Sequence, residues 1–136
     1  MADQLFKIEA PFTALLTGAK FEMLLGRKCS ISYSYESIED GSVILERLLF
    51  GGVEGYKCTY YTACSIEMFS AYGRVLNLGR TKWLQKITSN LLDARGSIDG
   101  LKHLQVFFDD GPCYEFICRS FRTTTENIQI NDFDLN

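Results

Sequence analysis

The sequence predicts a single α+β domain, mainly antiparallel sheet, with about six or seven strands and one or two helices inserted at about residues 65–92. Three observations support this class. Apolar and polar residues alternate through residues 20–61, a helical period replaces that alternation in the insertion, and the alternation returns at residue 101. Strands on both sides of a helical insertion favour α+β over a parallel α/β fold. With 136 residues, 46% of them hydrophobic, the chain fits one domain, 1–136, with a substantial core.

The clearest strand pattern is "GAKFEMLLGRKCSISYSYES", residues 18–37. Apolar side chains alternate with charged ones over residues 20–25, and large apolar side chains alternate with serines over residues 29–35. This period of two predicts a hairpin with one buried face and the serines in water. Gly26-Arg27 matches a two-residue turn with glycine first.

The next elements follow from turn and capping signals. "EDGSVILERLLFGGVEGYKCTYY" predicts a strand over residues 43–50, a bulge or tight turn at Gly51-Gly52, and a further strand. Ser65 and Thr81 are typical N-caps, so each predicts a helix that begins at the following residue. The second helix has its apolar face at Trp83, Leu84, Ile87 and Leu91, and its first two members are expected to anchor it to the core.

The two ends of the chain are less regular. Residues 10–18, "APFTALLTG", favour a short helix over an irregular approach to the first hairpin. Residues 122–136 are polar and acidic, which is typical of a frayed tail or an added edge strand.

The stretch "HLQVFFDDGPCYEFICRSF", residues 103–121, predicts a hairpin that turns at residues 109–112. Pairing around that turn places Phe108 opposite Cys113 and His103 opposite Cys118. A candidate site cluster then comprises the only histidine of the chain, His103, with Cys118 and Glu115. A nucleophilic thiol needs such a base within hydrogen-bond reach. The commoner alternative is a structural histidine and inert buried cysteines.

Composition and motifs exclude several function classes. A net charge of −3 argues against nucleic-acid binding, which needs a clustered excess of Lys and Arg. The absence of a leader pattern and of a long apolar run predicts a cytoplasmic protein with no membrane partner. Five cysteines, an odd number, fit reduced thiols in the cytosol. Their spacings do not match a zinc site, and no nucleotide-binding or hydrolase motif occurs, so neither a metal nor a cofactor is expected.

Three segments carry a resemblance to a known class. They are "VILERLLFGGVEGYKCTYY", "AYGRVLNLGRTKWLQKI" and "LKHLQVFFDDGPCYEFICRSF", within residues 43–121. In this order they resemble small uncharacterised bacterial proteins, some of which are of the toxin-immunity type. The resemblance implies a compact cytosolic binding protein with no chemistry of its own, and it identifies no functional residue.

Three functional hypotheses follow, for a monomer or a homodimer formed by edge pairing. The first is a non-catalytic protein-binding module. If the resemblance holds, it implies an immunity protein that neutralises a toxin. The second is a carrier that holds a small ligand in an aromatic-lined cavity between sheet and helix. The third is an enzyme that uses His103 with Cys113, Cys118 or Glu115. The predicted binding face of the first hypothesis combines acidic turns and tyrosines: Asp109, Asp110, Glu36, Glu39, Tyr33, Tyr35 and Tyr61.

Overall fold

The computed structural model describes residues 2–10, 12, 15–109 and 112–128. Within them the chain forms nine strands: β1 (Asp3–Lys7), β2 (Leu15–Leu24), β3 (Lys28–Glu36), β4 (Val43–Gly51), β5 (Gly55–Thr59), β6 (Arg74–Asn77), β7 (Lys102–Phe107), β8 (Cys113–Cys118) and β9 (Ser120–Ile128).

These strands form two antiparallel sheets. One has the order β1-β6-β7-β8-β5 and the other the order β2-β3-β4-β9. The predicted α+β class with mainly antiparallel sheet is confirmed, but the predicted six or seven strands are too few. The sequence pattern predicts no strand at β1. Part of the polar tail forms β9, the edge strand of the four-stranded sheet, which confirms the edge-strand alternative for those residues.

The inner faces of the two sheets pack together to form the main core. Phe50 of β4 stacks on Phe116 of β8 with ring centroids 4.0 Å apart, which joins the two sheets at their centre. Ile31, Leu48 and Leu104 are fully buried around this stack. The outer face of the five-stranded sheet has a second, smaller core, which holds Ala71, Leu76, Phe107 and Cys113.

The first predicted hairpin is present, as β2 and β3, but two of its details differ. Cys29, Ile31 and Tyr33 lie in the core as expected. Two of the serines on the opposite face, Ser30 and Ser34, are also buried, and the Ser34 hydroxyl lies 2.8 Å from that of Thr17 on β2.

The turn of this hairpin also differs from the predicted two-residue form. Leu24 pairs with Lys28, so the connection has three residues. Both Gly26 and Arg27 have positive φ, 79° and 58°, whereas a turn with glycine first needs positive φ at the glycine alone.

The chain passes from one sheet to the other at a corner formed by two neighbouring segments. β4 leads into β5 through Gly51 and Gly52, and β8 leads into β9 through Arg119. Arg119 holds the two segments together: its guanidinium donates to the Gly52 carbonyl at 2.9 Å and pairs with the Glu54 carboxylate at 2.8 Å. The predicted tight turn at the glycine pair is therefore the crossover between the sheets.

Replacing Gly52 by alanine is expected to lower the free energy of unfolding by about 1–2 kcal/mol. Gly52 has φ of +60°, and a Cβ at this position would lie 3.0 Å from the Cβ of Arg119. Urea denaturation followed by circular dichroism measures the change. Gly18→Ala is the matched control, because a Cβ at Gly18 meets no atom within 4 Å. Equal losses in the two variants would contradict the proposed strain at the corner.

Short helices cover part of the outer face of the five-stranded sheet. Two 3₁₀ helices span Tyr61–Ala63 and Ile66–Ala71, and α1 spans Lys82–Asp93. Thr81 is the N-cap of α1, as predicted, and its side chain accepts a hydrogen bond from the Leu84 N–H.

The predicted apolar face of α1 is turned towards the sheet but is only half-buried, and no residue of α1 is fully buried. Its expected anchors, Trp83 and Leu84, share this partial burial. At the N-terminal end of the chain, the short helix expected over residues 10–18 is wrong for Leu15–Gly18, which belongs to β2, whereas Phe12 has 3₁₀ conformation. Phe12 is the one described residue between Ala10 and Leu15.

Candidate functional site

The register of β7 and β8 decides which predicted site residues meet. Phe107, not Phe108, pairs with Cys113, so His103 lies opposite Ile117 and the predicted pairing of His103 with Cys118 is wrong. The shift by one residue arises at the turn, whose length the turn-forming residues alone did not fix. Side chains of paired residues share a face, so His103 and Glu115 point to the outer face, whereas Cys118 points into the main core.

His103 and Glu115 form a buried polar chain with Thr81. The His103 Nε2 atom lies 2.8 Å from the Glu115 Oε1 atom, and the His103 Nδ1 atom lies 2.7 Å from the Thr81 hydroxyl oxygen. Since a carboxylate only accepts, Nε2 carries a hydrogen that it donates to Glu115. In the neutral ring, Nδ1 then accepts from the Thr81 hydroxyl, which itself accepts from the Leu84 N–H.

Charge and packing around the chain favour an ionised Glu115. Burial alone would raise the pKa of this carboxyl, but the hydrogen bond from His103, the electrostatic interaction with that ring and the charge of Lys57 outweigh burial and hold the pKa below its usual value. The Trp83 ring packs edge-on against the His103 ring, with centroids 5.1 Å apart. The Lys57 ammonium lies 4.1 Å from the centre of the Trp83 ring, within range of a cation–π interaction.

This polar chain ties the N-terminus of α1 to the five-stranded sheet. Both ring nitrogens of His103 have partners, and the Thr81 hydroxyl caps the helix. The thiols that the enzyme hypothesis needs are not activated: burial raises the pKa of Cys118 to about 12 and also raises the pKa of Cys113. The arrangement therefore works as a structural tie between helix and sheet.

The residues of the predicted binding face do not form one surface. Tyr33 is fully buried, because the alternation of β3 turns it into the core, and its hydroxyl donates to the buried Glu46 carboxylate on β4. Burial also raises the pKa of Tyr33. Tyr33 therefore does not lie on the surface that the predicted binding face requires. Its neighbour Tyr35 is half-buried.

The remaining members of the predicted face are at the surface. Glu36 and Glu39 are exposed at the end of β3 and in the turn that follows it. Tyr61 is exposed on the outer side of the other sheet. Asp109 is exposed and accepts a hydrogen bond of 2.9 Å from the Tyr72 hydroxyl. Asp110 lies outside the described residues.

Tyr61 belongs to an aromatic surface that also contacts Asp109. We define it as Tyr61, Phe69 and Tyr72, which are 40–48% exposed and pack around the fully buried Phe107. The Phe69 ring centre lies 4.7 Å from that of Phe107 and 5.8 Å from that of Tyr61. The pattern of residues 65–73 indicates only a helix, so sequence reasoning missed Phe69 and Tyr72. Phe69 lies in the second 3₁₀ helix, and Tyr72 is its C-cap with extended backbone.

A shallow cavity of about 350 Å³ adjoins the aromatic surface at Tyr72. Phe12 packs edge-on against Tyr72 with ring centroids 5.1 Å apart, and the exposed Glu9 lies at the rim. The carrier hypothesis placed its cavity elsewhere, between sheet and helix. The cavity beside α1, about 440 Å³, is lined by side chains without aromatic rings: Arg80, Leu84, Gln85, Thr88, Ser89 and Leu92.

A second exposed apolar group lies at the tip of the β2–β3 hairpin. Met23, Leu24 and Leu25 are exposed there, Leu25 almost completely. Two cations, Arg27 and Lys28, follow directly, so this tip differs from the aromatic surface in both shape and charge.

Among the residues that the structure describes, no three His, Cys, Asp or Glu side chains come together as a metal-binding group. In the same part of the chain, no helix has the length and apolar character needed to cross a membrane.

Comparison with known proteins gives no relative from which a role can be inferred. No family model matches the chain, no curated protein matches its sequence, and no solved structure matches its fold.

Proposed function

We propose that this protein is a non-catalytic protein-binding module whose interface is the aromatic surface. The observation that carries the proposal is the exposure of Tyr61, Phe69 and Tyr72 as one connected group. Protein interfaces are enriched in tyrosine and phenylalanine, and a few central aromatic residues supply most of their binding free energy.

The support beneath these rings strengthens the proposal. Phe107 is fully buried within β7, and all three exposed rings pack on it. The Tyr72 hydroxyl is further fixed by its hydrogen bond to Asp109. Rings held in place before binding lose little conformational entropy when a partner docks, so more of the contact free energy appears as affinity.

The charges beside the aromatic surface favour a basic partner. Asp109 contacts it through Tyr72, the exposed Glu67 lies two residues before Phe69 in sequence, and the whole chain has a net charge of −3. Complementary charges accelerate association and make it depend on salt. We therefore propose a basic protein as the partner, and the resemblance of residues 43–121 makes a secreted toxin the class to test first. In this proposal the module acts in the cytoplasm, where its free thiols stay reduced.

Replacing Phe69 by alanine is expected to weaken partner binding by at least about 30-fold, as for a residue at the centre of an interface. The partner is first identified by a photo-crosslinking amino acid at position 69, with position 25 as the comparison site. Calorimetry with the purified partner then gives the affinities. If the partner is a toxin, an equimolar amount of this protein abolishes its activity, and the Phe69→Ala variant does so only at higher concentration.

Two controls make this test specific. Leu25→Ala removes an exposed apolar side chain at the hairpin tip, and it leaves the affinity unchanged. Asp109→Asn keeps an acceptor for Tyr72 but removes the charge, so it slows association at low salt and has little effect at high salt. A partner that crosslinks at position 25, or that binds the Phe69 variant with full affinity, would overturn the proposed interface.

The cavity next to Tyr72 favours a small-ligand carrier as the second candidate function. Phe12 and Tyr72 give it aromatic walls, although its volume of about 350 Å³ is open to solvent. Native mass spectrometry of the freshly purified protein distinguishes the two functions. A bound mass that is lost on denaturation supports the carrier, and a mass equal to the bare 15.5 kDa chain supports the binding module.

A further inference from the structure

Two of the cysteines lie together beneath the aromatic surface. Cys113, at the start of β8, is fully buried in the small outer core, and Cys64, between the two 3₁₀ helices, packs against the same core. The Cys64 thiol donates to the Thr59 carbonyl at 3.5 Å. Thr59 is the residue paired with Cys113 across β5 and β8, so the sulfur of Cys64 lies beside Cys113.

A further contact brings the Cys64 sulfur close to the backbone of Cys113. The backbone N–H of Cys113 is close enough to the Cys64 sulfur to favour its thiolate form. Thr59 and Cys113 are directly opposed, and paired residues point to the same face of a sheet. Cys58 is one position away from Thr59 and so points to the opposite face, where it is exposed.

The two thiols differ in their access to solvent. Cys64 is half-buried, whereas Cys113 has no exposed surface. A dissolved reagent therefore reaches Cys64 first, and Cys113 reacts only with a group already attached to its neighbour. Burial raises the pKa of both thiols, so both react slowly at neutral pH.

We propose that Cys64 and Cys113 form a reversible disulfide, with a small disulfide such as oxidised glutathione as the oxidant. The Cys64 thiolate attacks one sulfur of the small disulfide, forms a mixed disulfide and releases one small thiolate. The Cys113 thiolate then attacks the Cys64 sulfur and releases the second small thiolate. The protein loses two protons and two electrons, and the small disulfide gains both as two thiols.

The bond would join the segment between the 3₁₀ helices to β8. That segment lies between Tyr61 and Phe69, so oxidation would fix the support of the aromatic surface covalently. An effect on partner binding rests on the proposed function. The formation of the bond does not, and it is tested without any partner.

The experiment treats the full-length native protein with oxidised glutathione in the absence of oxygen and follows the intact mass. The Cys58→Ser variant, which lacks the exposed thiol, is expected to lose two hydrogens, and non-reducing peptide mapping then finds Cys64 linked to Cys113. With Cys58→Ser also present, the Cys113→Ala variant is expected to stop at the mixed disulfide and gain one glutathione on Cys64. The Cys64→Ser variant is expected to leave Cys113 unmodified, because its thiol is buried.

The dependence on pH gives a further readout. Below the pKa of Cys64, the thiolate fraction and hence the rate of the first step rise about tenfold per pH unit. A Cys58–Cys64 link in the natural sequence, glutathione on Cys113 in the Cys64→Ser variant, or no bond in the Cys58→Ser variant would each overturn the proposal. If the Cys113→Ala variant does not fold, the presence or absence of the Cys64–Cys113 bond in the Cys58→Ser variant tests the proposal by itself.

Discussion

Replacing Phe116 by alanine is expected to lower the free energy of unfolding by about 3–5 kcal/mol, the largest change among the substitutions considered. Phe116 is fully buried at the centre of β8. Its ring stacks on Phe50 at 4.0 Å and also faces Phe21 at 6.1 Å, so it joins three strands from both sheets. The loss combines the transfer of an aromatic ring to water with the cavity left behind, which rigid strands on both sides prevent from collapsing.

Urea denaturation followed by circular dichroism measures this loss. Leu25→Ala is the control for removal of a large apolar side chain, because Leu25 is 97% exposed, and it is expected to change the free energy by less than about 0.5 kcal/mol. A loss below about 1 kcal/mol for Phe116→Ala would show that the two sheets do not depend on this stack.

Replacing His103 by alanine is expected to cost about 3 kcal/mol at pH 7, because it leaves the Glu115 carboxylate buried without its donor. The variant also removes the ring that fixes the Thr81 hydroxyl and supports Trp83. Adding Glu115→Gln to this variant is expected to restore part of the stability, since a neutral amide is less costly to bury than a charge. If the single and double variants have the same free energy of unfolding, the buried charge of Glu115 is not the cause of the lost stability.

The same pair predicts how stability changes with pH. In the natural sequence the pKa of folded Glu115 lies below 4.5, the ordinary value of a glutamate. Its contribution is therefore complete above pH 4.5 and is lost as the pH falls from there through the folded pKa.

In the His103→Ala variant burial, the largest influence on the pKa of Glu115, remains, opposed by the charge of Lys57 and the hydrogen bond from Gln105. Burial then dominates and raises the pKa, so acid protonates the buried group and relieves the penalty. As the pH falls from 7 to 5, the difference in free energy of unfolding between the natural sequence and the His103→Ala variant is expected to become smaller. Urea denaturation at each pH measures it. A constant difference over this range would contradict the assigned interaction.

Local patterns predicted the elements of this fold well, because each depends on neighbours in sequence. The alternation in β3 identified Cys29 and Ile31 as core residues, and Thr81 identified the start of α1. The hairpin pattern likewise identified β7 and β8. The register between those strands was wrong by one residue, because it depends on the turn conformation, and residue types fix that conformation only loosely.

The candidate site was less predictable, because its contacts join distant parts of the chain. The sequence marked His103 and Glu115, but their link to Thr81 requires α1 to pack on the sheet, which no local pattern encodes. Tyr33 was assigned to a binding face because tyrosine is common at interfaces, although its strand position already placed it in the core. The aromatic surface needed Phe107 as its support, and that contact appears only in three dimensions.

The corner at Gly52 and Arg119 also constrains how the chain reaches its native state. Phe50 pairs with Phe121 although most of the five-stranded sheet is encoded between them. Joining residues so far apart costs loop-closure entropy, which makes pairing of β4 with β9 a slow step on its own. Since β8 runs almost directly into β9, formation of the local β7–β8 hairpin carries β9 to the corner and shortens the effective loop. The corner thus lets the fast-forming β7–β8 hairpin start the pairing of β4 with β9. Until β9 pairs, one edge of β4 stays open to intermolecular association.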